Sequence, residues 1–235
     1  MALHFLIDAA PSGDVVELVG AEAHHAAVVR RVRVGERVSA TDGAGLWLEG
    51  VCEHVDPKRV TVRIDERRAV PASSPRITLV QALAKGDRDE RAIQAATELG
   101  VDEIVPWQAS RSVSRWEGMK AEKGRTRWET IVREAAKQAH RAWLPPVTPV
   151  ISTNELTARG GLIVLEPGAE GAFTSVPIDR DTTLVVGPEG GIAPEELRLL
   201  EQAGATLARL GDTVLRTSTA GPAALAVLNA RLARW

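Results

Sequence analysis

The chain has 235 residues, of which 44% are hydrophobic and 26% charged, a composition typical of a soluble globular protein with one large or two modest domains. The formal net charge of −2 excludes a generally basic nucleic-acid-binding protein, so any RNA contact must come from local basic patches. A single cysteine, Cys52, excludes an internal disulfide and a multi-cysteine metal site. No apolar run approaches the roughly 20 residues that span a bilayer, and the N-terminus lacks the features of a signal peptide, so we expect a cytoplasmic protein.

The first part of the chain predicts a small β-barrel. Short apolar runs separated by turn signals predict strands at Leu3–Asp8, Val15–Val19, Arg37–Thr41, Leu46–His54 and Val60–Asp65. One helical insert, Ala21–Val32, interrupts this series, and Gly35 predicts its C-terminal cap.

A basic cluster lies at the end of the helical insert. Arg30, Arg31 and Arg33 are close enough in sequence to form a phosphate-binding patch, with a solvated charged face as the alternative interpretation. The preceding pair, His24 and His25, favours a structural role over a metal site, because no third ligand lies at a suitable spacing.

The proline- and serine-rich stretch 71–75 predicts a linker between domains at residues 1–70 and 76–235. After it, strands and helices alternate, which predicts a mainly parallel α/β sheet. Strands are predicted at Ile77–Leu83, Val101–Trp107, Leu162–Leu165 and Leu184–Val186. Helices are predicted around Ala92–Leu99, over Thr126–Ala142 with Lys137 and His140 mostly on its outer side, and from Thr217 or Thr219 to Ala233.

A glycine-rich loop follows the last of these strands. Gly187-Pro188-Glu189-Gly190-Gly191 has little side-chain bulk, so a ligand can approach its main-chain N–H groups closely. Pro194 then predicts the first turn of a helix. Glu189 disfavours a phosphate ligand and favours a neutral or cationic one, while an ordinary strand–turn–helix corner is the alternative interpretation of this stretch alone.

This loop and a second segment, Leu210–Ala220, together resemble the paired C-terminal motifs of SPOUT methyltransferases, GPEGG and LG…LRT.TA. The RsmE family, whose members methylate N3 of a uridine in 16S ribosomal RNA, is the nearest match. The resemblance extends upstream through His24-His25, Glu98-Leu99-Gly100-Val101, Arg111-Ser112-Val113 and Ala136–Arg141, and it covers nearly the whole chain.

The chain departs from the family pattern at several positions. Ala95 stands where the family usually has lysine, Lys137 where it has glutamate, and His140 where it has glycine. Arg30 replaces a usual leucine, and Ser218 replaces a usual glutamate. Because serine is not a competent base at neutral pH, we name no general base.

The resemblance implies an N-terminal PUA-like, RNA-binding barrel, a SPOUT α/β domain with a C-terminal trefoil knot, S-adenosylmethionine as cofactor, no metal, and a homodimer. The cofactor-binding residues it implies are Leu165, Glu166, Val186, Gly187, Pro188, Glu189, Gly190, Gly191, Ile192, Leu210, Gly211, Leu215, Thr217, Thr219 and Ala220. The candidate RNA-binding residues are Arg30, Arg31, Arg33, Lys85, Arg88, Arg111 and Arg141. Arg216 is the candidate for electrostatic help in catalysis.

The expected function is transfer of a methyl group from S-adenosylmethionine to N3 of a uridine in 16S rRNA of the small ribosomal subunit. Two alternatives stay open at this point. One is a SPOUT enzyme acting on another RNA atom, such as a ribose 2′-OH. The other is a non-catalytic RNA-binding factor in ribosome assembly, which the departures at Ala95, Lys137 and Ser218 favour slightly.

Overall fold

The computed structural model describes residues 3–235. The chain divides into two compact units, one comprising Met1–Ala72 and Ala136–Leu144 and the other Ser73–Ala135 and Pro145–Trp235. The stretch Ala136–Leu144 therefore groups with the first unit, although its position in the sequence suggested the second domain. Within residues 3–235, no helix combines the length and apolar character needed to cross a membrane.

The first unit is built on a five-stranded sheet. Its strands are β1 Leu3–Leu6, β2 Val15–Val19, β3 Arg37–Thr41, β4 Leu46–Asp56 and β5 Arg59–Ala69, in the order β1-β3-β4-β5-β2. β1 runs parallel to β3, and the other neighbours are antiparallel. Every strand contributes to one buried cluster, through Phe5, Leu18, Val38, Leu48 and Val60 among others, so the sheet curls around a common core. The predicted strand series and the barrel-like fold are confirmed.

The helical insert differs from the prediction. An α-helix, α1 Gly20–His24, continues as one π-helical stretch, His25–Val29, and ends there instead of reaching Val32. Arg31 has a φ of 53°, so the chain turns at this residue. The prediction that Gly35 caps the helix is wrong, because the helical stretch ends at Val29 and the Gly35 N–H donates to the carbonyl of Cys52.

Residues 136–144 pack on the outer side of the first unit's sheet. The Thr41 hydroxyl donates to the Ala142 carbonyl at 3.1 Å, and the Leu144 N–H donates to the Gly43 carbonyl at 2.9 Å. The Lys137 Nζ lies 2.8 Å from the Glu22 carboxylate, with only 4% of the Lys137 side chain exposed. The prediction that Lys137 lies on the outer side of its helix is therefore wrong, because this ammonium is buried against a carboxylate.

The long helix α3 spans Met119–Gln138 and so begins earlier and ends earlier than predicted. After it, His140 adopts a φ of 52°. The His140 N–H donates to the Lys137 carbonyl and the Arg141 N–H to the Ala136 carbonyl. These bonds form a Schellman motif with His140 at the position that usually needs glycine, which gives a physical reason for the glycine that the family has there.

The second unit contains an entirely parallel five-stranded sheet. Its strands are β6 Ile77–Ala82, β7 Glu103–Trp107, β8 Leu162–Leu165, β9 Thr182–Val186 and β10 Thr206–Ala208, in the order β10-β8-β9-β6-β7. The remaining helices are α2 Arg88–Glu98, α4 Thr153–Leu156, α5 Pro194–Gln202 and α6 Thr217–Arg231. The predicted parallel sheet is confirmed, whereas the short edge strand β10 was not predicted. Because the strands are parallel, the ends of β8, β9 and β10 meet at one edge of the sheet.

The buried Lys137–Glu22 pair yields a stability prediction. Lys137→Met leaves the Glu22 carboxylate without its main counter-ion, so we expect the free energy of unfolding to fall by about 3 kcal/mol. The double variant Lys137→Met with Glu22→Leu should recover most of this loss. Urea denaturation followed by tryptophan fluorescence measures both.

Arg63→Met is the matched control, because Arg63 pairs with Glu53 at 2.9 Å and with Asp65 at 2.5 Å while its own side chain is about half exposed. Removing an exposed pair should cost at most about 1 kcal/mol. Equal losses for Lys137→Met and Arg63→Met would contradict the importance of the buried pair.

Candidate functional site

One cavity opens at the carboxyl edge of the parallel sheet, with a volume of about 440 Å³. The loops that follow β8, β9 and β10 form its walls, and the start of α6 closes it. The lining residues are Arg88, Leu165, Glu166, Pro167, Val186, Gly187, Pro188, Glu189, Gly191, Ile192, Ala208, Arg209, Leu210, Gly211, Thr213, Val214, Leu215, Arg216, Thr217 and Ala220. Three segments that are far apart in sequence thus meet in one place.

The cavity brings together most of the predicted cofactor residues. Of that set, Gly190 and Thr219 do not line it, and the others do. Arg216 also lines it, and so does Arg88, which we had predicted as an RNA contact. The lining residues absent from the prediction are Pro167, Ala208, Arg209, Thr213 and Val214. Pro167, Arg209 and Val214 each adjoin a predicted residue, whereas Ala208 and Thr213 lie two positions from one.

Two glycines shape the wall that follows β9. A Cβ on Gly187 would lie 2.6 Å from Cγ1 of Ile192, which is too close for any other residue without a shift of the loop. Gly191 has a φ of 71°, a conformation that glycine adopts without the strain other residues meet. The loop therefore needs glycine for its path, and its main chain is accessible from the cavity.

Glu189 anchors this loop. Its Oε1 accepts hydrogen bonds from the Lys85 N–H at 2.9 Å and from the Arg88 guanidinium at 2.7 Å. Burial raises the pKa of Glu189, but the hydrogen bonds from Arg88 and from main-chain N–H groups outweigh it and leave the pKa below its ordinary value. Glu189 is thus ionised at neutral pH, and its charge is balanced by Arg88.

A second carboxylate fixes the start of α5. Glu196 is buried and accepts from the Ser110 N–H and hydroxyl at 2.9 and 2.7 Å, from the Thr153 hydroxyl at 2.6 Å and from the Ala193 N–H at 3.3 Å. Burial raises the pKa of Glu196, and these hydrogen bonds more than reverse the effect. The loop after β7 is therefore tied to the helix that follows the glycine loop.

Arg111 belongs to the loop after β7 and contacts the glycine loop directly. Its guanidinium donates to the Gly190 carbonyl at 3.1 Å. We predicted Arg111 as an RNA contact. Through this hydrogen bond it supports the cavity wall. Gly190 itself faces Arg111, since a Cβ added there would lie 3.6 Å from the Arg111 Cβ.

A buried hydrogen-bond chain joins β6 to both motif segments. The Gln81 amide donates to the Thr217 hydroxyl at 2.9 Å, and that hydroxyl donates to the Gly187 carbonyl at 2.8 Å. Gln81 is fully buried on β6. Gln81 was not among the predicted site residues. An amide near the end of an otherwise apolar strand needs hydrogen-bond partners when buried, and this could have identified it.

Three arginines line the cavity, and they differ in how their charge is balanced. Arg88 pairs with Glu189 at 2.7 Å, and Arg209 lies 3.9 Å from the exposed Asp212. Across residues 3–235, the Arg216 side chain has neither an ion pair nor a hydrogen bond. Arg216 is also exposed and does not cap α6 with its side chain. Its charge is therefore available to a ligand.

The predicted RNA-binding residues fall into two groups. Lys85, Arg88 and Arg111 belong to the second unit, whereas Arg30, Arg31, Arg33 and Arg141 belong to the first. Arg30, Arg31 and Arg33 are exposed, and no carboxylate among the described residues forms an ion pair with their guanidinium groups. The Glu36 carboxylate accepts a hydrogen bond from the Arg33 main-chain N–H at 3.0 Å.

Strand arginines of the same unit do pair with carboxylates, as Arg37–Asp65, Arg59–Glu17 and Arg63–Glu53 at 3.2, 3.6 and 2.9 Å. The turn that follows α1 and the π-helical stretch thus carries the unbalanced positive charge. In the part of the chain that the structure describes, no three His, Cys, Asp or Glu residues group as metal ligands.

Two family models match this chain. An RNA methyltransferase domain matches residues 72–229, and an RNA methyltransferase PUA domain matches residues 18–65. The chain is 42% identical to ribosomal RNA small subunit methyltransferase E of Mycobacterium bovis and of Mycobacterium tuberculosis, over 100% of this chain and 94% of those proteins. It belongs to the ribosomal RNA small subunit methyltransferase E family.

Other members of this methyltransferase E family agree in sequence and in fold. The Bacillus subtilis member is 33% identical over 90% of this chain and 88% of its own length. The crystal structure of the Neisseria gonorrhoeae member bound to S-adenosyl methionine superposes with a TM-score of 0.89 at 28% identity, covering 98% of both chains. A Legionella pneumophila protein in complex with the same cofactor gives a TM-score of 0.88 at 30% identity, again covering 98% of both chains.

Proposed function

We propose that this chain transfers the methyl group of S-adenosylmethionine to N3 of a uridine in 16S rRNA of the small ribosomal subunit. The observation that carries the proposal is the cavity, where the three loops of the paired motifs meet in a chain that belongs to an rRNA methyltransferase family. Sequence similarity supports the reaction class, and the lining of the cavity supports it as the proposed site of the reaction.

The cavity fits S-adenosylmethionine in size and chemistry. Its volume of about 440 Å³ lies within the range of small-molecule sites. Its walls are largely apolar, and main-chain groups are accessible at Gly187 and Gly191. The implied cofactor residues that line it are proposed to hold the adenosyl group. Glu166 offers a carboxylate to the sulfonium cation, whereas the charge of Glu189 is balanced by Arg88.

The chemistry requires a nucleophile aligned with the methyl group that the cofactor supplies. N3 of uridine carries a proton and is a poor nucleophile until that proton leaves. Arg216 is placed to stabilise the negative charge that develops on the base, because its guanidinium lines the cavity without any carboxylate to neutralise it. Ser218, at the usual position of glutamate, cannot take the proton at neutral pH, so the base lies elsewhere.

RNA binding is proposed for the basic turn of the first unit. Arg30, Arg31 and Arg33 are exposed and without carboxylate partners among residues 3–235, which favours phosphate as their ligand. Lys85, Arg88, Arg111 and Arg141 complete the proposed RNA-binding set. Arg88 and Arg111 also support the glycine loop, so RNA contact through them would act on the cavity wall.

The family resemblance further favours a homodimer and a trefoil knot in the second unit. We place the reaction in the cytoplasm, where ribosomal subunits assemble. The homodimer and the knot are proposed from the resemblance, and the compartment is proposed from the substrate.

Product mapping tests the function. Incubation with labelled S-adenosylmethionine and unmethylated small subunits should yield a single N3-methyluridine in 16S rRNA, identified by nuclease digestion and mass spectrometry. A methylated ribose 2′-OH would overturn the target atom. Cofactor binding without transfer to subunits or to naked 16S rRNA would favour the assembly-factor alternative.

Gly191 and Gly204 form a matched pair for testing the cofactor site. Both have a positive φ, 71° and 86°, and a Cβ on either meets no atom within 4 Å, but only Gly191 lines the cavity. Leucine at either position should cost about 1–2 kcal/mol in stability. Gly191→Leu should also weaken S-adenosylmethionine binding at least roughly tenfold in calorimetry, by restricting access to the main chain, whereas Gly204→Leu should bind normally. Unchanged affinity of Gly191→Leu would contradict the site.

Arg216 and Arg209 form a second matched pair, because both line the cavity and only Arg209 has a nearby carboxylate. Arg216→Gln should lower kcat by about 10²–10³-fold while cofactor affinity stays constant. Arg209→Gln should change kcat by less than about tenfold. Single-turnover methyl transfer measures both, and equal effects would remove the specific role of Arg216.

A further inference from the structure

A column of stacked side chains lies on the first unit's sheet. The Arg68 guanidinium sits 5.0 Å from the centre of the Trp47 ring. Trp47 stacks on His4 at 4.7 Å with an interplanar angle of 17°, and His4 stacks on His140 at 5.1 Å and 21°. Trp47 and His4 are buried, while His140 is half-buried. No other ring of residues 3–235 is recorded against His140, so the column ends there.

The position of His140 is unusual for a side chain of this size. Its φ of 52° places it at the Schellman position where glycine avoids strain, and the family pattern has glycine there. A histidine at this position adopts a conformation that side-chain-bearing residues disfavour. Stacking of the His140 ring on His4 is the interaction that offsets this strain. Stacking on His4 accounts for one face of the imidazole and leaves the other without a ring partner in the described chain.

The surroundings of His140 suit a nucleic acid. The 2.8 Å contact between Lys137 and Glu22 brings the residues just before His140 against α1, whose continuation leads into the turn with Arg30, Arg31 and Arg33. The π-helical stretch and the turn also expose apolar side chains, since Val28 and Val29 of the helical stretch are 45% and 59% exposed and Val34 of the turn is 64% exposed. Unbalanced arginines interleaved with apolar groups are expected where RNA presents both phosphates and bases.

Both histidines of the column are neutral at physiological pH. Burial and the neighbouring His140 lower the pKa of His4 to about 4. Burial, and then the charge of Arg30, lower the pKa of His140. A neutral imidazole offers a stacking face rather than a second phosphate-binding cation.

We propose that the face of His140 opposite His4 is a stacking site for an unpaired RNA base, whose neighbouring phosphates are bound by Arg30, Arg31 and Arg33. The inference rests on the proposed function, because it takes RNA as the substrate. It adds a base-binding site in the first unit, at a residue that the family pattern does not provide. It also specifies that this unit binds single-stranded or looped RNA, since bases inside a helix have no free face to stack.

The simpler role of His140 is to fasten residues 136–144 to the sheet by stacking on His4. The two roles differ in what they predict for binding. A fastening role makes RNA affinity independent of whether the RNA carries bases. A stacking site makes affinity depend on the bases and on the ring at position 140, separately from the arginines.

The experiment compares two probes on the full chain by fluorescence anisotropy. One is a short labelled oligoadenylate, and the other is an abasic oligoribonucleotide with the same number of phosphates. Wild type should bind the oligoadenylate about five- to a hundredfold more tightly than the abasic probe. His140→Gly, which removes both the ring and the backbone strain, should reduce that ratio to near one and leave the abasic affinity unchanged. His140→Phe should retain the ratio.

Two controls separate stacking from charge and from general effects. Arg31→Ala should weaken both probes equally and reduce the slope of log affinity against log salt by about one. His54→Ala, which removes an exposed histidine of β4, should change neither affinity.

Equal wild-type affinities for the two probes, binding of neither probe, or an unchanged ratio in His140→Gly would overturn the stacking site. Methyl transfer to small subunits, measured on the same wild-type preparation, distinguishes this failure from that of the proposed function. Transfer without base-dependent binding would refute only the stacking site. Base-dependent binding without transfer would refute the proposed function and leave the stacking site standing.

Discussion

Hydrogen bonds to two carboxylates hold the functional edge of this protein in shape. Glu189 fastens the glycine loop to the start of α2, and Glu196 fastens the first turn of α5 to the loop after β7. Both carboxylates have pKa values below their ordinary range, because the donors around them outweigh the effect of burial. Without these anchors, a loop rich in glycine would have many conformations, and the cavity would have no defined wall. The ligand site therefore depends on one contact in the cavity wall, Glu189 with Arg88, and on the contacts of Glu196, which does not line the cavity.

Arginine side chains serve two different purposes in this protein. On the curled sheet, arginines pair with carboxylates on other strands of the same sheet and contribute to a balanced surface. In the turn after the helical insert, and at Arg216, no carboxylate within the described chain balances the charge. Because the whole chain is slightly acidic, we propose that RNA binds at these local imbalances and is not attracted by the net charge.

Local signals in the sequence predicted most of the fold and most of the cavity. β2 and β3 have the predicted bounds, and α5 begins at Pro194 as expected, because alternation and a proline in the first turn act over a few residues. The loops of the cavity were found because their motifs are contiguous. The errors arise where distant residues decide the outcome. Lys137 is buried by Glu22, which is far away in sequence, and no helical periodicity reveals that partner. Gln81 acquires its role only through Thr217. The knot, which depends on the path of the whole chain, stays a prediction.

The composition of the first unit has a consequence for synthesis on the ribosome. Its sheet is complete once residue 72 has been made, but the segment that covers the outer side of that sheet, residues 136–144, is translated only after much of the second unit's first half. While strands β6 and β7 are synthesised, His140 has not yet been made. The stacked pair of His4 and Trp47 therefore lacks its contact with His140 during this time. The first unit needs residues 136–144 to be complete, and these are translated after the start of the second unit. The two units therefore cannot fold strictly one after the other in order of translation.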